Sequence, residues 1–394
     1  MNKQELIKEV LERCVDKIYP SKEALEDVLK SGRKMKVYLG VDPTGPHLHL
    51  GHATNLLILK KLQNLGHKII FLIGDFTARI GDPSGKTTAR KPLTEEEVKA
   101  NLKTFKIQAG NIIKFGGPNG AIVKFNSEWH TKMSLENMIK LTQLLTVQQI
   151  IKRDMFQKRL KENKDIWLHE FLYPILQGYD SVVMNVDMEI GGTDQTFNML
   201  VGRDLMKKIK QKEKFVLTTK LLENKKTGKK LMNKSEGGLI NLDDKPDDLF
   251  GKTMALPDEA ILPVAELSTE MPWSEVKQLK KMKPRDAKLK VAFWVVKLCH
   301  SEQTAARARE NWEKLFSKKE VPAKIPTLKL QDKKILPTEL LVKSGLPSKS
   351  EARRLITQGA VELNGRKITN QQEKLNLSSG DVLKIGKHRF FKIQ

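Results

Sequence analysis

The alternation of apolar and polar positions in the first part of the chain predicts a βαβ unit. Residues 36–41 form a strand-like run, and leucines at helical spacing predict a helix from about 51 to 65 that ends at Gly66. Residues 68–73 are almost continuously apolar, as in a strand that is buried on both faces. The strand, helix and strand together predict a right-handed βαβ unit within a parallel sheet.

The rest of the pattern predicts an α/β protein of three domains. Further elements are expected as follows: two or three helical segments in 1–32, a strand in 121–125, amphipathic helices in 130–172, an apolar, partly alternating stretch in 182–190, and helices in 248–318. The predicted divisions are a parallel-sheet domain (1–247), a helical domain (248–326) and a small α+β domain (336–394).

The charge of the chain indicates a polyanionic partner. Its 394 residues carry a formal net charge of +24. Residues 206–230 hold ten lysines against two glutamates, and residues 336–394 hold eleven basic against five acidic side chains. A lysine-rich genome would produce the same composition, so this alternative stays open.

The chain shows no targeting or membrane signal, which predicts a cytoplasmic protein. No apolar run approaches the roughly 18–20 residues of a membrane helix, and the start of the chain is an amphipathic helix rather than a signal peptide. Cys14 and Cys299 lie far apart and belong to no ligand-spaced cluster, so neither a disulfide nor a metal site is expected.

The sequence His-Leu-His-Leu-Gly-His at 47–52 follows the first predicted strand and opens the next helix. At such a junction the free N–H groups of the helix and the positive end of its dipole favour phosphate. Neutral imidazoles can donate hydrogen bonds to phosphate oxygens there. The run therefore predicts a nucleotide site.

A glycine-rich segment follows the second strand at 74–90. It is not a Walker loop, because Gly81 lies four residues before Gly85 and that motif requires five. Asp82 is a candidate for a cationic group of a small ligand, with Lys86 and Arg90 one turn apart for an anionic group. A simple glycine-rich turn with a solvated lysine is the alternative.

Three further segments are candidate pocket walls. Tyr173, Gln177 and Asp180 share one face of a predicted helix, paired glycines in 191–195 allow close approach of a flat ligand, and 227–238 is a cationic loop. Taken singly, each could also be an ordinary solvated helix face, turn or loop. The remaining histidines are predicted to be structural or solvated: His67, His130, His169, His300 and His388.

Taken in order, these segments resemble the bacterial tyrosyl-tRNA synthetases, a family of class I aminoacyl-tRNA synthetases. The match lies in 38–44, in the HIGH-like 49–52, in 81–86, in 177–180, in 191–195, and in the KMSKS-like 229–235. The tail from about 336 is similar to a small RNA-binding domain. The resemblance implies a Rossmann-like catalytic domain, a helical anticodon-binding domain and a C-terminal RNA-binding domain.

By resemblance, the chain would join tyrosine to ATP and then pass it to tRNA(Tyr), as a homodimer assisted by Mg²⁺. The implied catalytic residues are His49, His52, Lys86, Arg90 and Lys234. The implied ATP-binding residues are Asp42, Thr44, Gly51, Asn55, Gly192, Asp194, Lys234 and Ser235. The implied tyrosine-binding residues are Tyr38, Asp82, Asn126, Tyr173, Gln177, Asp180 and Gln195.

Within this assignment, Tyr38 and Asp180 are expected to bind the phenol oxygen, and Asp82, Tyr173 and Gln177 the α-ammonium group. One position departs from the family pattern: Leu231 stands where the first KMSKS lysine is expected, and Lys230 is offset by one. We hypothesise that Lys230 partly replaces that lysine.

Three alternatives remain at this stage. A tryptophanyl enzyme would share the fold, but an indole has no hydroxyl for Tyr38 and Asp180 to bind. A non-catalytic RNA-binding paralogue would have a damaged phosphate site. In this chain the expected phosphate-binding residues are all present: His49, His52, Lys86 and Lys234. An adenylating ligase that acts without tRNA would not need the basic tail.

Overall fold

The computed structural model of the chain describes residues 2–84, 93–224, 228, 230–232, 238–317, 326–328, 330, 334–346, 348–386 and 389–394. The chain divides into two units, residues 1–309 and 310–394. Both are built from helices packed on β-sheets. The first contains the predicted parallel sheet, and the second is small and β-rich.

The elements of the first half are α1 (Lys3–Glu12), β1 (Val15–Tyr19), α2 (Lys22–Ser31), β2 (Lys36–Val41), α3 (Leu50–Asn64), β3 (Lys68–Ile73), α4 (Thr77–Ile80), α5 (Glu95–Leu102), α6 (Phe105–Gly110), β4 (Ile122–Phe125), α7 (Ser127–His130), α8 (Leu135–Thr142), α9 (Val147–Ile151), α10 (Asp154–Lys161) and α11 (Leu168–Met184). They are followed by β5 (Met188–Gly192), a 3₁₀ turn (Thr193–Gln195), α12 (Thr196–Lys210) and β6 (Phe215–Thr219).

The remaining elements are α13 (Pro246–Met254), α14 (Asp258–Leu267), α15 (Trp273–Leu279), α16 (Pro284–Cys299), α17 (Glu302–Ser317), β7 (Thr327–Leu328), β8 (Lys334–Ile335), α18 (Pro337–Lys343), α19 (Lys349–Thr357), β9 (Val361–Leu363), β10 (Arg366–Lys367), β11 (Leu375–Asn376), β12 (Val382–Ile385) and β13 (Arg389–Ile393).

The sheet of the first unit has the strand order β1-β6-β5-β2-β3-β4. Strands β6, β5, β2, β3 and β4 run parallel, and β1 pairs antiparallel with β6 at the edge. From β2 the chain first crosses to β3 on one side and later returns to β5 on the other. This reversal opens a cleft at the carboxyl ends of β2 and β5, where open α/β sheets bind ligands.

The central strands explain why this sheet forms the core. In β3, the five residues Ile69–Ile73 are all buried, as expected for a parallel strand covered on both faces. Helix α3 buries Leu56, Leu57 and Leu59. The predicted βαβ unit is therefore present, with β2 and β3 at their predicted bounds and paired from Lys36↔Lys68 to Val41↔Ile73.

The structure differs from the sequence-based picture in three places. Residues 15–19 were expected to be helical but form the edge strand β1, because they pair with β6, some 200 residues later in the chain. Strand β6 itself was not predicted. The apolar stretch 182–190 is split: α11 continues to Met184, Asn185 ends it in the left-handed conformation at φ 47°, and β5 begins at Met188.

The second unit has its own core. A five-stranded sheet, β10-β9-β12-β13-β7, and helices α18 and α19 bury a cluster that includes Leu340, Leu341, Ala352, Val361 and Leu383. The predicted fold class, a parallel-sheet domain with helices and a small C-terminal α+β part, is confirmed. The division into three domains stays a prediction.

Candidate active site

A cavity of ≈ 380 Å³ lies at the carboxyl ends of β2 and β5. Its walls come from these strands, the start of α3, the 74–84 segment, α11 and the segment after β6. The following predicted site residues line it: Tyr38, Asp42, Thr44, His49, Gly51, His52, Asn55, Asp82, Asn126, Tyr173, Gln177, Asp180, Gly192, Asp194 and Gln195. The other predicted site residues, Lys86, Arg90, Lys234 and Ser235, lie outside the described residues.

His49 and His52 are held at the first turn of α3 by backbone hydrogen bonds. The Nδ1 atom of His49 accepts the N–H of Gly51 at 3.1 Å, and Nδ1 of His52 accepts the N–H of His49 at 3.0 Å. An accepting Nδ1 carries no proton, so the proton of each neutral ring lies on Nε2. The two rings, with centroids 4.0 Å apart, therefore offer two N–H donors.

Burial keeps these two imidazoles uncharged. It lowers the pKa of His49 to about 4 and brings the pKa of His52 well below its usual range, with the neighbouring His49 adding to the second effect. Neutral donors at a helix start stabilise a phosphate without an additional buried charge.

Glycines shape the cavity wall beside His49 and Asp194. A Cβ at Gly51 would lie 3.0 Å from Cε1 of His49, and one at Gly192 would lie 2.6 Å from Oδ1 of Asp194. Side chains at either position would therefore displace a polar group that faces the cavity. The glycines keep that surface flat.

Asp194 lies on the 3₁₀ turn after β5 and pairs with Lys230, with Oδ2 2.7 Å from Nζ. Next to it, Thr219 donates to Asn55 Oδ1 at 2.7 Å, which fixes the Asn55 amide against the end of β6. Leu231 is fully buried. Of the two neighbours, Lys230 is thus the one that brings a charge to the cavity.

Asp82 is the centre of a polar cluster in the wall that the 74–84 segment forms. Its Oδ2 accepts from Gln195 Nε2 at 2.7 Å, and its Oδ1 accepts from the N–H of Ser84 at 2.9 Å. Arg153, which the sequence reasoning missed, donates to Ser84 Oγ at 2.6 Å and lies 4.8 Å from the ring centroid of Phe197. Arg153 therefore anchors the segment that carries Asp82.

Tyr173, Gln177 and Asp180 project from one face of α11 into the cavity, as the i, i+4, i+7 spacing predicts. Tyr173 donates to Asp42 Oδ2 at 2.8 Å, and burial raises the pKa of this phenol well above 10. Gln177 donates from Nε2 to Glu189 at 3.1 Å. Within the described part of the chain, its buried Oε1 has no hydrogen-bond partner.

Tyr38 and Asp180 both reach the cavity, but they do not bind each other. Tyr38 Oη lies 2.9 Å from Ser181 Oγ. Asp180 Oδ1 accepts from Trp129 Nε1 at 2.8 Å and contacts His130 Nε2 at 2.7 Å, and its Oδ2 accepts from Asn126 at 3.3 Å. Asn126 thus acts on the site through Asp180 as well as lining the cavity.

A buried ion pair that the sequence reasoning missed lies behind Gln177. Glu189 pairs with Lys214, and both side chains are at most 3% exposed. Lys214 also donates to Ser181 Oγ at 2.8 Å. The available signal was Glu189 itself, an acidic residue within the apolar strand Met188–Gly192; the surrounding lysines concealed Lys214.

The described residues contain neither a cluster of metal-binding side chains nor a membrane-spanning helix. In this part of the chain, no group of three or more His, Cys, Asp or Glu side chains could hold a metal ion. No described helix is long and apolar enough to cross a membrane.

The sequence matches two family profiles. Residues 30–317 match the tRNA synthetases class I (W and Y), and residues 318–392 match the tyrosine–tRNA ligase SYY-like C-terminal domain. The first match covers well over half of the chain, so the chain belongs to the class I tRNA synthetases of the tryptophan and tyrosine group.

Full-length relatives define the family more narrowly. The tyrosine–tRNA ligase of Thermotoga maritima is 41% identical over 400 residues, covering 100% of this chain and 98% of the relative. That of Aquifex aeolicus is 40% identical over 395 residues, covering 100% and 99%. The chain is thus a member of the tyrosine–tRNA ligase family, which confirms the resemblance of its motifs.

Solved structures show the same fold. The C-terminally truncated mitochondrial tyrosyl-tRNA synthetase of Aspergillus nidulans matches with a TM-score of 0.66 at 21% identity, covering 80% of this chain and 99% of that one. The tyrosyl-tRNA synthetase of Archaeoglobus fulgidus, solved with L-tyrosine, matches with a TM-score of 0.59 at 20% identity, covering 78% and 100%.

Proposed function

We propose that this chain activates tyrosine with ATP and transfers the tyrosyl group to tRNA(Tyr). In the first step, a tyrosine carboxylate oxygen attacks the α-phosphorus of ATP and pyrophosphate leaves. In the second, a hydroxyl of the terminal ribose of tRNA attacks the tyrosyl carbonyl and AMP leaves. The observation that carries the proposal is one cavity lined by two neutral imidazole donors and by the buried Asp180.

At the phosphate end, the reaction requires charge stabilisation rather than a general base, because a carboxylate is already ionised at neutral pH. His49 and His52 donate from Nε2 to the α-phosphate as charge grows on it. The adenine approaches α3 over Gly51, beside Thr44 and Asn55. Lys234 and Ser235, with Lys86 and Arg90, are assigned to the departing pyrophosphate on sequence grounds alone.

The ribose is assigned to the turn after β5. Asp194 accepts hydrogen bonds from its hydroxyls, and Gly192 lets it approach the backbone. Asp42, which accepts from Tyr173 and Thr77, connects the ATP and tyrosine ends of the cavity.

Tyrosine occupies the wall formed by α11. The unpartnered Oε1 of Gln177 supports binding of the α-ammonium group, together with Asp82 and the Tyr173 oxygen. Gln195, bound to Asp82, faces the reacting carboxylate. Asp180 and Tyr38 are assigned to the phenol hydroxyl.

Mg²⁺ enters as part of the substrate in this proposal. The ion prefers phosphate and water oxygens with one or two carboxylates. The carboxylates of Asp82 and Asp194 are already bound to Gln195 and Lys230. The ion would therefore arrive with ATP, bound to its phosphates.

The basic surface and the second unit fit the RNA substrate. We propose that 1–247 is the catalytic domain, that 248–326 contacts the anticodon region and that 336–394 binds RNA through its excess of basic residues. We also propose a cytoplasmic homodimer. Exposed apolar side chains on α8 and α9, with Leu135 77% and Val147 57% exposed, support an interface there.

Tyrosine-dependent exchange of labelled pyrophosphate into ATP tests the first step, and charging of tRNA(Tyr) tests the second. Exchange should require tyrosine. Preference for tryptophan, or exchange with no amino acid, would contradict the proposal.

A further inference from the structure

His130 is a buried histidine that contacts the proposed phenol-binding carboxylate from behind. It ends α7, its side chain is 0% exposed, and its Nε2 lies 2.7 Å from Asp180 Oδ1. It is not among the residues that line the cavity, whereas Asp180 is. Any effect of His130 on a ligand must therefore pass through Asp180.

The hydrogen bonds to Asp180 are distributed unequally between its two oxygens. Oδ1 receives His130 Nε2 at 2.7 Å and Trp129 Nε1 at 2.8 Å, which together fill its two acceptor positions. Among the described residues, Oδ2 receives only the Asn126 amide, at 3.3 Å. Oδ2 thus has the capacity to accept one more hydrogen bond, of the kind that a ligand hydroxyl supplies.

The surroundings of the His130 ring determine which of its two nitrogens carries the proton. Within the described part of the chain, the buried Nδ1 of His130 has no hydrogen-bond partner. The proton of the neutral ring therefore belongs on Nε2, where it is donated to Asp180, and a second proton on Nδ1 would be buried unpaired. Phe76 and Tyr179, with ring centroids 5.2 and 6.2 Å away, hold the ring in place.

The donors also act on the charge of Asp180. Burial raises the pKa of this carboxyl, and its hydrogen bonds to His130, Trp129 and Asn126 oppose that rise. A carboxylate that stays ionised accepts a phenol proton as a charge-assisted hydrogen bond, which is about twice as strong as a neutral one.

We propose that His130 is a positioning residue for tyrosine selection, which orients Asp180 so that Oδ2 accepts the phenol hydroxyl of the substrate. The inference rests on the proposed function, in particular on the assignment of the phenol to Asp180. It predicts that removal of the Nε2 donor weakens recognition of the hydroxyl while ATP binding is unchanged.

Three variants of His130 distinguish a role in positioning Asp180 from a role in packing alone. His130→Leu fills the space without a donor. His130→Asn is polar, but its amide reaches only the place of Nδ1, whereas the amide of His130→Gln reaches the place of Nε2. For each full-length variant, kcat and KM are measured in pyrophosphate exchange with tyrosine, with phenylalanine and over a range of ATP concentrations.

Loss of a charge-assisted bond predicts that His130→Leu and His130→Asn raise the KM for tyrosine about tenfold. The ratio of kcat/KM for tyrosine to that for phenylalanine should fall by a similar factor, with the KM for ATP unchanged. His130→Gln should recover most of the ratio. If His130→Leu fails to fold, the comparison of His130→Asn with His130→Gln decides.

An unchanged tyrosine-to-phenylalanine ratio in folded His130→Asn would overturn the inference, as would equal losses in the Asn and Gln variants. Asp180→Asn distinguishes this failure from that of the proposed function. If Asp180→Asn loses selectivity while the His130 variants keep it, only the His130 inference fails. If Asp180→Asn itself keeps full selectivity, the assignment of the phenol to Asp180 fails as well.

Discussion

Lys230 and Asp194 form an ion pair at the mouth of the cavity, with Nζ and Oδ2 2.7 Å apart and side chains 47% and 25% exposed. Asp194 is the carboxylate that we assign to the ribose, so we expect bound ATP to compete with Lys230 for it. The released ammonium group is then close to the nucleotide. This ion pair is consistent with the hypothesis that Lys230 partly replaces the signature lysine, whose expected position is occupied by Leu231.

Replacing Lys230 should therefore lower kcat without raising the KM for ATP. In Lys230→Ala, the kcat of tyrosine-dependent exchange should fall about tenfold, because a cation near the departing pyrophosphate is lost. The KM for ATP should not rise, because Asp194 no longer has a competing partner. Steady-state exchange kinetics provide the measurement.

The matched control is Lys99→Ala, which breaks the exposed Lys99–Glu95 ion pair on α5. It should change neither constant. If Lys230→Ala has the same kcat as the unmodified chain, Lys230 does not replace the signature lysine.

The buried Glu189–Lys214 pair predicts a stability effect. Lys214→Met leaves the Glu189 charge without its partner and should lower the free energy of unfolding by about 3–5 kcal/mol. Adding Glu189→Gln to Lys214→Met should restore part of the lost free energy of unfolding, because no unpaired charge then remains buried at this site. Urea unfolding followed by fluorescence measures both.

A surface pair serves as the comparison for this prediction. Lys30→Met breaks the exposed Lys30–Glu26 pair and should lower the free energy of unfolding far less than Lys214→Met does, because solvent screens the exposed pair. If Lys214→Met costs no more than Lys30→Met, the pair is not buried as described.

The lowered histidine pKa values predict how stability depends on pH. Burial lowers the pKa of both His49 and His67 to about 4. In the unfolded chain these imidazoles take up protons near pH 6.5. Stability from the neutral rings is therefore complete above pH 6.5 and is lost as the pH falls toward 4.

Urea unfolding at several pH values between 7.5 and 5 checks this expectation. The free energy of unfolding should decline with falling pH, and His67→Gln should reduce the slope. A slope that His67→Gln leaves unchanged would show that His67 is not the buried, neutral acceptor of the Met35 N–H.

Deletion of residues 336–394 should separate the two half-reactions. The second unit has its own hydrophobic core, and the ATP and tyrosine cavity lies within the first unit. Exchange should persist, whereas aminoacylation should fall because tRNA loses cationic contacts. Equal loss of both activities would mean that the tail supports folding instead.

The sequence predicted elements whose pattern is local. Strand β2 is a strand-like run, β3 is an almost continuously apolar run, and the face shared by Tyr173, Gln177 and Asp180 follows from helical spacing. Strand β1 could not be read in this way, because Val15–Tyr19 is short, charged and half exposed. It is a strand only because β6 pairs with it.

The same distinction applies to the site. The segments at strand ends could be placed together because parallel strands share one carboxyl edge. Contacts between distant side chains follow no spacing rule, so the separation of 50 positions between His130 and Asp180 concealed their hydrogen bond. Likewise, Lys214 could not be distinguished from its solvated neighbours by sequence, although it is fully buried.

The most direct test of the central claim is pyrophosphate exchange with each of the twenty amino acids. Because a ligand without a hydroxyl would leave the remaining acceptor position of the buried Asp180 Oδ2 unused, only tyrosine should support rapid exchange. Phenylalanine should be rejected strongly. Tyrosyl-tRNA synthetases are the established example of this discrimination, which is on the order of 10⁵-fold. Exchange that is faster with tryptophan or phenylalanine than with tyrosine would contradict the account.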